Sequence, residues 1–486
     1  MVVERRSSAP LALYCGRMGD MPWQGDACSL VEEFRAGRRS PTEELQATYA
    51  AIDNSKLNAF CFLAREEAQA AALAADVSKP FGGVPIGVKE LDQVNGWPDT
   101  HASVPLKDQI ATYTSTNAAR ARDRGGAVLV GQTTASEFGG VNVTRTKLHG
   151  TTHNPWQLDR TPGGSSGGTA AAVAGGLVTL ATGGDGGGSI RIPAGFTGLI
   201  GLKATIGRIP RGPWAQYGNL TVTVGCLSRS VRDTARWFDV CNGFDARDPL
   251  SLPHESGWEA GLGSHLAALR GARVAIDPTW GNAVVSPVMW ELLEAAGAQL
   301  VTDLGMTRVE QFDTALPLMG GAWGLSGNLS TEAQLADKWP ACADDLTPEI
   351  RFGMEMFVGK YDSAARAKIE RRRTELNEAM ARVFEPTDGV DFVIAATNPD
   401  VAFAADGPLP GVFGGVEAGA RNNGRLTFPA NLHGNPAISI PAGTLDGLPI
   451  SLQVVGRHFT EQLLLDIALT VERNRPWPLV SPSAPV

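Results

Sequence analysis

Residues 162–205 read PGGSSGGTAAAVAGGLVTLATGGDGGGSIRIPAGFTGLIGLKAT, placing small, flexible residues beside the chain's most suggestive hydroxyls. Two glycine clusters, 163–168 and 183–188, each present serine: Ser165 and Ser166 in the first, Ser189 directly after the second. Glycine is needed where backbone must take positive φ or approach another group closely, and it destabilises regular elements elsewhere. Five glycines among the six residues before Ser189 therefore suggest a backbone surface built to meet a ligand. Read alone, GGSSG fits the G-x-S-x-G elbow and nominates Ser165 as the nucleophile of an α/β-hydrolase-like esterase. That reading needs a downstream acid and histidine, and His254, His265, His433 and His458 carry no supporting signature. The plainer alternative is a glycine turn that opens a helix.

Outward from this stretch, the pattern alternates. Upstream, Ser40-Pro41-Thr42-Glu43 combines an N-cap, a first-turn proline and a capping-box glutamate, announcing a helix through residue 52. Helices are also expected over 30–36, 62–76, 116–124, 231–241, 287–296, 362–384 and 461–473, and a short one near 132–138. Apolar runs at 84–88, 127–130, 272–276, 299–302, 390–395, 437–440 and 450–455 suit buried strands, the first delivering Lys89 at its tip. Residues 170–182 read as a helix followed by a strand, because Gly175-Gly176 interrupts the apolar run. This alternation implies a largely parallel sheet covered by helices. Residues 1–25 lack periodicity and read as a loosely ordered extension that contributes little. Residues 401–424 form a glycine-rich loop long enough to suggest function.

Composition excludes several classes. The 486 residues are 43% hydrophobic and 19% charged, which places the chain among globular proteins and leaves room for a sizeable core. A net charge of −9 argues against a nucleic-acid-coating surface, and Arg371-Arg372-Arg373 sits among glutamates as a solvated face. Six cysteines without a CxxC pair are too sparse for a disulfide framework, and with no secretory core the expected location is cytoplasmic. No run reaches the ~20 apolar residues of a membrane span. The second glycine cluster has no phosphate-loop spacing, so nucleotide binding is not expected. His149 and His153 precede an Asn-Pro turn with no nearby third ligand, so they read as structural, and no metal or cofactor is expected.

GGSSGG, an alanine-rich helix and GGDGGGSIRIPAGFTGLIGLKAT together resemble the amidase signature family. GVPIGVKEL, HGTTHNPWQLDRTPGGSSGG and GNPAISIPAGTLDGLPISLQVVG resemble it too, so the similarity covers roughly residues 26–232 and 436–473. The resemblance implies an α/β fold: a single domain over 26–486 whose large mixed β-sheet is covered by helices on both faces. The signature core would span 84–232, a variable specificity region 245–430, and the closing strands and helix 436–473.

It also implies a Ser-Ser(cis)-Lys triad of Ser189 as nucleophile, Ser165 as bridging serine and Lys89 as base. A serine hydroxyl needs such a base, and lysine serves only when its environment holds it neutral. On the same resemblance, N–H groups of Gly186, Gly187, Gly188 and Ser189 are expected to meet the oxyanion. Asp185 and Arg191 brace that loop, Ser166 supports Ser165, and Gly139, Gly140 and Val141 line the acyl site. The chain departs from the family at Gly184 and Gly186, where threonines are usual, at Glu90, where aspartate is, and at Ala204, where proline is common.

The expected activity is cleavage of small, fairly hydrophobic amides, carbamates, anilides, oligoamides or aryl esters, by a monomer or homodimer acting on small molecules, with neither nucleic acid nor membrane as partner. Aromatics at 214–217, around Trp323, and Phe403 and Phe413 suit an apolar ligand. The alternatives are the glutaminase subunit of a tRNA-dependent amidotransferase, the Ser165 esterase above, and a binding protein with a dead site.

Overall fold

The computed structural model of the protein describes residues 21–214 and 220–486, with nothing described of the side chains at 281, 320–323, 325 and 326. Eleven strands build its central layer. In chain order they are β1 (Phe60–Leu63), β2 (Pro85–Lys89), β3 (Val128–Thr133), β4 (Leu180–Asp185), β5 (Gly201–Lys203), β6 (Thr223–Ser228), β7 (Arg273–Ile276), β8 (Thr307–Arg308), β9 (Phe392–Ala396), β10 (Ala437–Leu445) and β11 (Leu448–Gly456).

They form two sheets, ordered β1-β3-β2-β4-β6 and β8-β7-β9-β11-β10-β5. A single antiparallel bridge between Ile200 and Ser228 joins the two edge to edge, through reciprocal N–H to O bonds of 3.0 and 3.3 Å. The sheet is mixed. The β2/β3, β2/β4, β7/β8 and β7/β9 ladders are parallel, while β1/β3, β4/β6, β9/β11, β10/β11 and β5/β10 are antiparallel. The largely parallel sheet expected from alternation is therefore corrected, because hairpins such as β10–β11 close the sheet beside its parallel centres.

Several expectations hold at residue level. The capping box of Ser40 and Glu43 starts helix Pro41–Asn54, and Asp362 caps the long helix Ser363–Val383. Two do not. Residues 62–76 are not one helix: the aromatic run Phe60–Leu63 pairs with β3 before helix Arg65–Leu73 begins. Residues 299–302 are no strand, since helix Pro287–Leu304 keeps burying Leu300, Val301 and Leu304 until Gly305, at φ 64°, ends it. The loop 401–424 contains a small hairpin, Val412–Phe413 with Val416–Glu417, and a 3-10 turn, Ala420–Gly424. Residues 22–25 are tied down, contrary to a loose extension: Arg229 donates to Trp23 O at 2.7 Å and Gly25 O at 2.8 Å, and Trp23 N–H reaches Glu44. Positions 1–20 lie outside the described residues, as does Tyr217, and the Trp323 side chain is likewise undescribed.

Two features of this frame position the site. Lys89 and Asp185 stand at the carboxyl ends of the neighbouring parallel strands β2 and β4, the edge where α/β sheets gather ligands. Helix Arg191–Thr197 then packs on β10 and β11, so the turn from 186 to 190 lies between the two sheets. Among the described residues, no helix is long and apolar enough to cross a membrane.

Candidate active site

Strand β2 carries Lys89 into a buried position, and a threonine ladder holds its backbone there. The Lys89 N–H donates to Thr182 Oγ1 at 2.8 Å, Thr169 Oγ1 donates to Thr182 O at 2.9 Å, and the Thr133 and Thr169 hydroxyls meet at 2.8 Å. At the tip, Lys89 Nζ donates to Ser165 Oγ at 2.8 Å and lies 3.5 Å from Gly184 O. Burial pulls the ammonium down from 10.5 to about 8, against the opposing pull of the Asp92 and Asp185 carboxylates. A lysine so placed becomes a usable base at mildly alkaline pH.

Ser165 follows a cis peptide bond from Gly164 and precedes helix Gly167–Ala174. No strand leads into it, so the esterase-elbow alternative, which needs a strand-turn-helix, is overturned. Ser166 occupies the N-cap position of that helix without capping it. Its hydroxyl instead reaches Gly184 O at 3.4 Å, so Lys89 and Ser166 share one acceptor on β4.

The second cluster is held by a buried network. Asp185 and Arg191 are both fully buried and joined twice, Nε to Oδ2 and Nη2 to Oδ1, each at 3.0 Å, so they are no surface ion pair. Burial alone would raise the Asp185 carboxyl, but the Arg191 guanidinium holds it well below the usual carboxylate range. Arg191 also donates to Gln453 Oε1 at 2.5 Å, Asn431 Oδ1 at 2.6 Å and Thr427 O at 3.1 Å. Asp185 in turn accepts from the backbone N–H of Gly188 at 2.7 Å and Ile190 at 3.2 Å, and from Asn431 Nδ2 at 2.8 Å.

One expectation is corrected here. Gly188 spends its N–H on Asp185, so it leaves the set of candidate oxyanion donors, and it does not line the cavity either. Gly186, Gly187 and Ser189 do line it.

That cavity encloses about 670 Å³, the scale of a small-molecule site. Lys89, Ser165 and Ser189 open into it, with Gly139, Gly140 and Val141 on the wall. The relay is not closed: no hydrogen bond joins the Ser165 and Ser189 hydroxyls among the described residues, as is common before substrate tightens a site. Aromatic and aliphatic side chains, among them Tyr113, Phe138, Ile192, Trp214 and Phe357, make part of the cavity wall apolar, beside polar residues such as Asp99, Arg211 and Glu349. Phe403 and Phe413 are elsewhere: Phe403 packs edge-on against Phe196, and Phe413 is buried away from the cavity.

The expectation that His149 has no further ligand types nearby is corrected: Glu90 and Cys61 lie beside it. The imidazole Nε2 lies 2.7 Å from Glu90 Oε1, which also accepts from Thr100, while Cys61 brings its sulfur into the same 4.8 Å cluster. His153 stays apart, bonded to Leu158 O at 2.7 Å.

Asn431, Gln453 and Thr427 were not singled out from sequence. Gln453 had a visible signal, a lone amide in the apolar strand ISLQVV, and buried polar groups of that kind need partners. Asn431 and Thr427 had none, because their partners lie more than 230 residues away in the chain.

Comparisons with known proteins agree with this fold. The family model described as Amidase matches residues 42–465. An acylamidase of Rhodococcus erythropolis is 32% identical over 483 residues, covering 93% of this chain and 95% of that protein. A glutamyl-tRNA(Gln) amidotransferase subunit of Clostridium botulinum (strain Eklund 17B / Type B) is 30% identical over 484 residues, covering 90% and 95%. Among solved structures, a bacterial aryl acylamidase of the amidase signature enzymes superposes with a TM-score of 0.85 at 28% identity, covering 93% of this chain and 97% of that one. With its fold, its buried lysine-serine pair and these relatives, the chain belongs to the amidase signature family of hydrolases.

Proposed function

We propose that the protein cleaves the C–N bond of small, fairly hydrophobic amides, anilides or carbamates through an acyl-enzyme on Ser189. The observation that carries this reading is the 2.8 Å contact between Ser165 and a buried Lys89 whose pKa is lowered to about 8, facing the same cavity as Ser189. Ser189 Oγ attacks the substrate carbonyl while its proton passes to Ser165, whose own proton moves to Lys89 Nζ. N–H groups of Gly186, Gly187 and Ser189 stabilise the oxyanion, a contribution worth about 10²-fold or more per donor. Collapse breaks the C–N bond, and the proton on Lys89 returns through Ser165 to the leaving nitrogen. Water then attacks the ester by the same relay, releasing acid and free enzyme. For a carbamate, the released carbonyl product is a half-ester of carbonic acid.

Aromatic and aliphatic side chains on the cavity wall, such as Phe138, Ile192 and Phe357, suit the apolar part of an acylamidase-type substrate. A second reading, as part of a tRNA-dependent amidotransferase, draws on the 30% identity to the clostridial protein. Turnover of anilide, aryl ester and urethane probes against glutamine, with mass spectrometry of the trapped acyl-enzyme, decides between them. Acylation of Ser189 by anilides or urethanes supports the first reading. Glutaminase activity alone, or acylation of another serine, overturns it.

A further inference from the structure

Three side chains from separate elements meet beside the Lys89 strand tip. Cys61 belongs to β1, Glu90 directly follows Lys89 at the end of β2, and His149 sits in the turn between the paired segments Arg145–Thr146 and Gly150–Thr151. Their ligand atoms, the Cys61 sulfur, a Glu90 carboxylate oxygen and a His149 ring nitrogen, all lie within 4.8 Å of one another. The relay uses none of these residues, and none of them lines the cavity that holds Ser189.

Hydrogen bonding accounts for only part of the cluster. Glu90 Oε1 accepts from the Thr100 hydroxyl and lies 2.7 Å from His149 Nε2, while Glu90 Oε2 is buried without a hydrogen-bond partner. The Cys61 S–H, a weak donor, is directed at Gln132 O, 3.5 Å away. Glu90 is 1% exposed, and among the described residues its ion-pair partner is His149. An imidazole carries charge only when protonated, so a buried carboxylate paired with one alone is a seat for a cation. The way in is through His149, whose side chain is 18% exposed, and the partly exposed Cys61.

The three groups also select the cation. Thiolate, imidazole and carboxylate are the ligand types of zinc and of cobalt(II) in its place, whereas magnesium and calcium take oxygen ligands. In the free protein, burial and the adjacent Glu90 carboxylate push the Cys61 thiol up, which keeps it protonated. A bound divalent ion reverses this, because a coordinating thiol is deprotonated outright. The S–H proton leaves to solvent, the ion takes its place on sulfur, and thiolate plus carboxylate balance the ion's charge. Such an ion needs no preformed cavity, since it replaces a proton among groups already gathered. With bonds of about 2.0–2.3 Å, the ligands of a tetrahedral zinc stand roughly 3.3–3.6 Å apart, so the histidine-glutamate contact opens and any wider pair closes.

We propose that Cys61, Glu90 and His149 form a binding site for one zinc-like divalent cation, with its fourth position left to water. The site lies outside the catalytic cavity, so the inference stands independently of the acyl-transfer reading.

The test reads binding rather than activity. The full-length protein, stripped with a chelator and kept reduced, is titrated with cobalt(II) and followed by the thiolate-to-cobalt charge-transfer band in the near ultraviolet. The band is expected to saturate at one cobalt per chain, and zinc should displace it. Calorimetry of zinc binding, in buffers of different ionisation enthalpy, should show release of about one proton per ion. Cys61→Ser should abolish the band, and His149→Asn should weaken cobalt binding roughly tenfold or more. His153→Asn removes the histidine that stays apart on Leu158 O, and it should leave binding unchanged. On the native protein alone, absence of the band or binding without proton release overturns the site. A band that survives Cys61→Ser, or that responds equally to His149→Asn and His153→Asn, overturns it as well.

Discussion

A Cβ added at Gly164, in the first glycine cluster, would lie 2.8 Å from the Val143 backbone nitrogen, whereas one added at Gly184, in the second, would meet nothing nearer than Thr223 O at 3.8 Å. The rest of the first cluster repeats the crowding: Gly167 would strike Thr144 at 2.2 Å and Gly168 the Thr134 hydroxyl at 2.3 Å. There the glycines are demanded by protein packed against protein, which holds Ser165 onto Lys89. In the second cluster Gly183 and Gly188 are crowded in this way, with Gly188 also at φ 131°. Gly184 faces the cavity with room to spare, and Gly186 meets only the end of Val222 at 3.1 Å. The same residue type thus fixes a catalytic side chain in one cluster and leaves space for a ligand in the other.

The largest expected effect lies in the second cluster. Ser189→Ala should remove acyl-enzyme formation and lower kcat by about 10⁴-fold or more, measured by single-turnover mass spectrometry; retained acylation would return the nucleophile to the first cluster. Next comes the brace: Arg191→Met leaves Asp185 buried and uncompensated, and should cost about 3–5 kcal/mol in denaturant unfolding. A loss below ~1 kcal/mol would mean that the buried pair does not hold the second cluster. Gly164→Ala should then cost about 1–3 kcal/mol, because backbone must move to admit the methyl group.

The relay sets the pH profile. Burial lowers Lys89 to about 8, so the lysine is protonated and idle below that pH. On the acid side, kcat/KM should fall about tenfold per pH unit, and a profile flat from pH 6 to 9 would remove Lys89 as the base. The smallest effect is on stability at Gly184. Gly184→Ala should change unfolding free energy by less than about 1 kcal/mol, since the site is open and its φ is ordinary. It should raise KM for bulky substrates more than for small ones, and an equal effect on both would show that the space is not used.

Much of this was legible in the chain. The capping box at Ser40, the alternation that places Lys89 at a strand tip, and the two serine-bearing clusters were all read without coordinates, because each depends on neighbours within a few residues. The mixed sheet came only from the family resemblance and not from the alternation of elements, since strand direction is set by partners such as β5 and β10, more than 230 residues apart. Residues 299–302 misled for a related reason: a short apolar run suits a buried strand or a buried helix turn equally, and packing decides which.

By itself, then, the sequence determined the residue types of the site and the local turns that present them, because chain geometry fixes such turns over short range. The tertiary structure alone decided which N–H groups of the second cluster stay free. It did so by closing Arg191, Asn431 and Gln453 around Asp185, whose carboxylate takes the Gly188 N–H out of the cavity. It also decided that the two clusters are not equivalent, for crowding at Gly164 and openness at Gly184 depend on what distant segments place beside them.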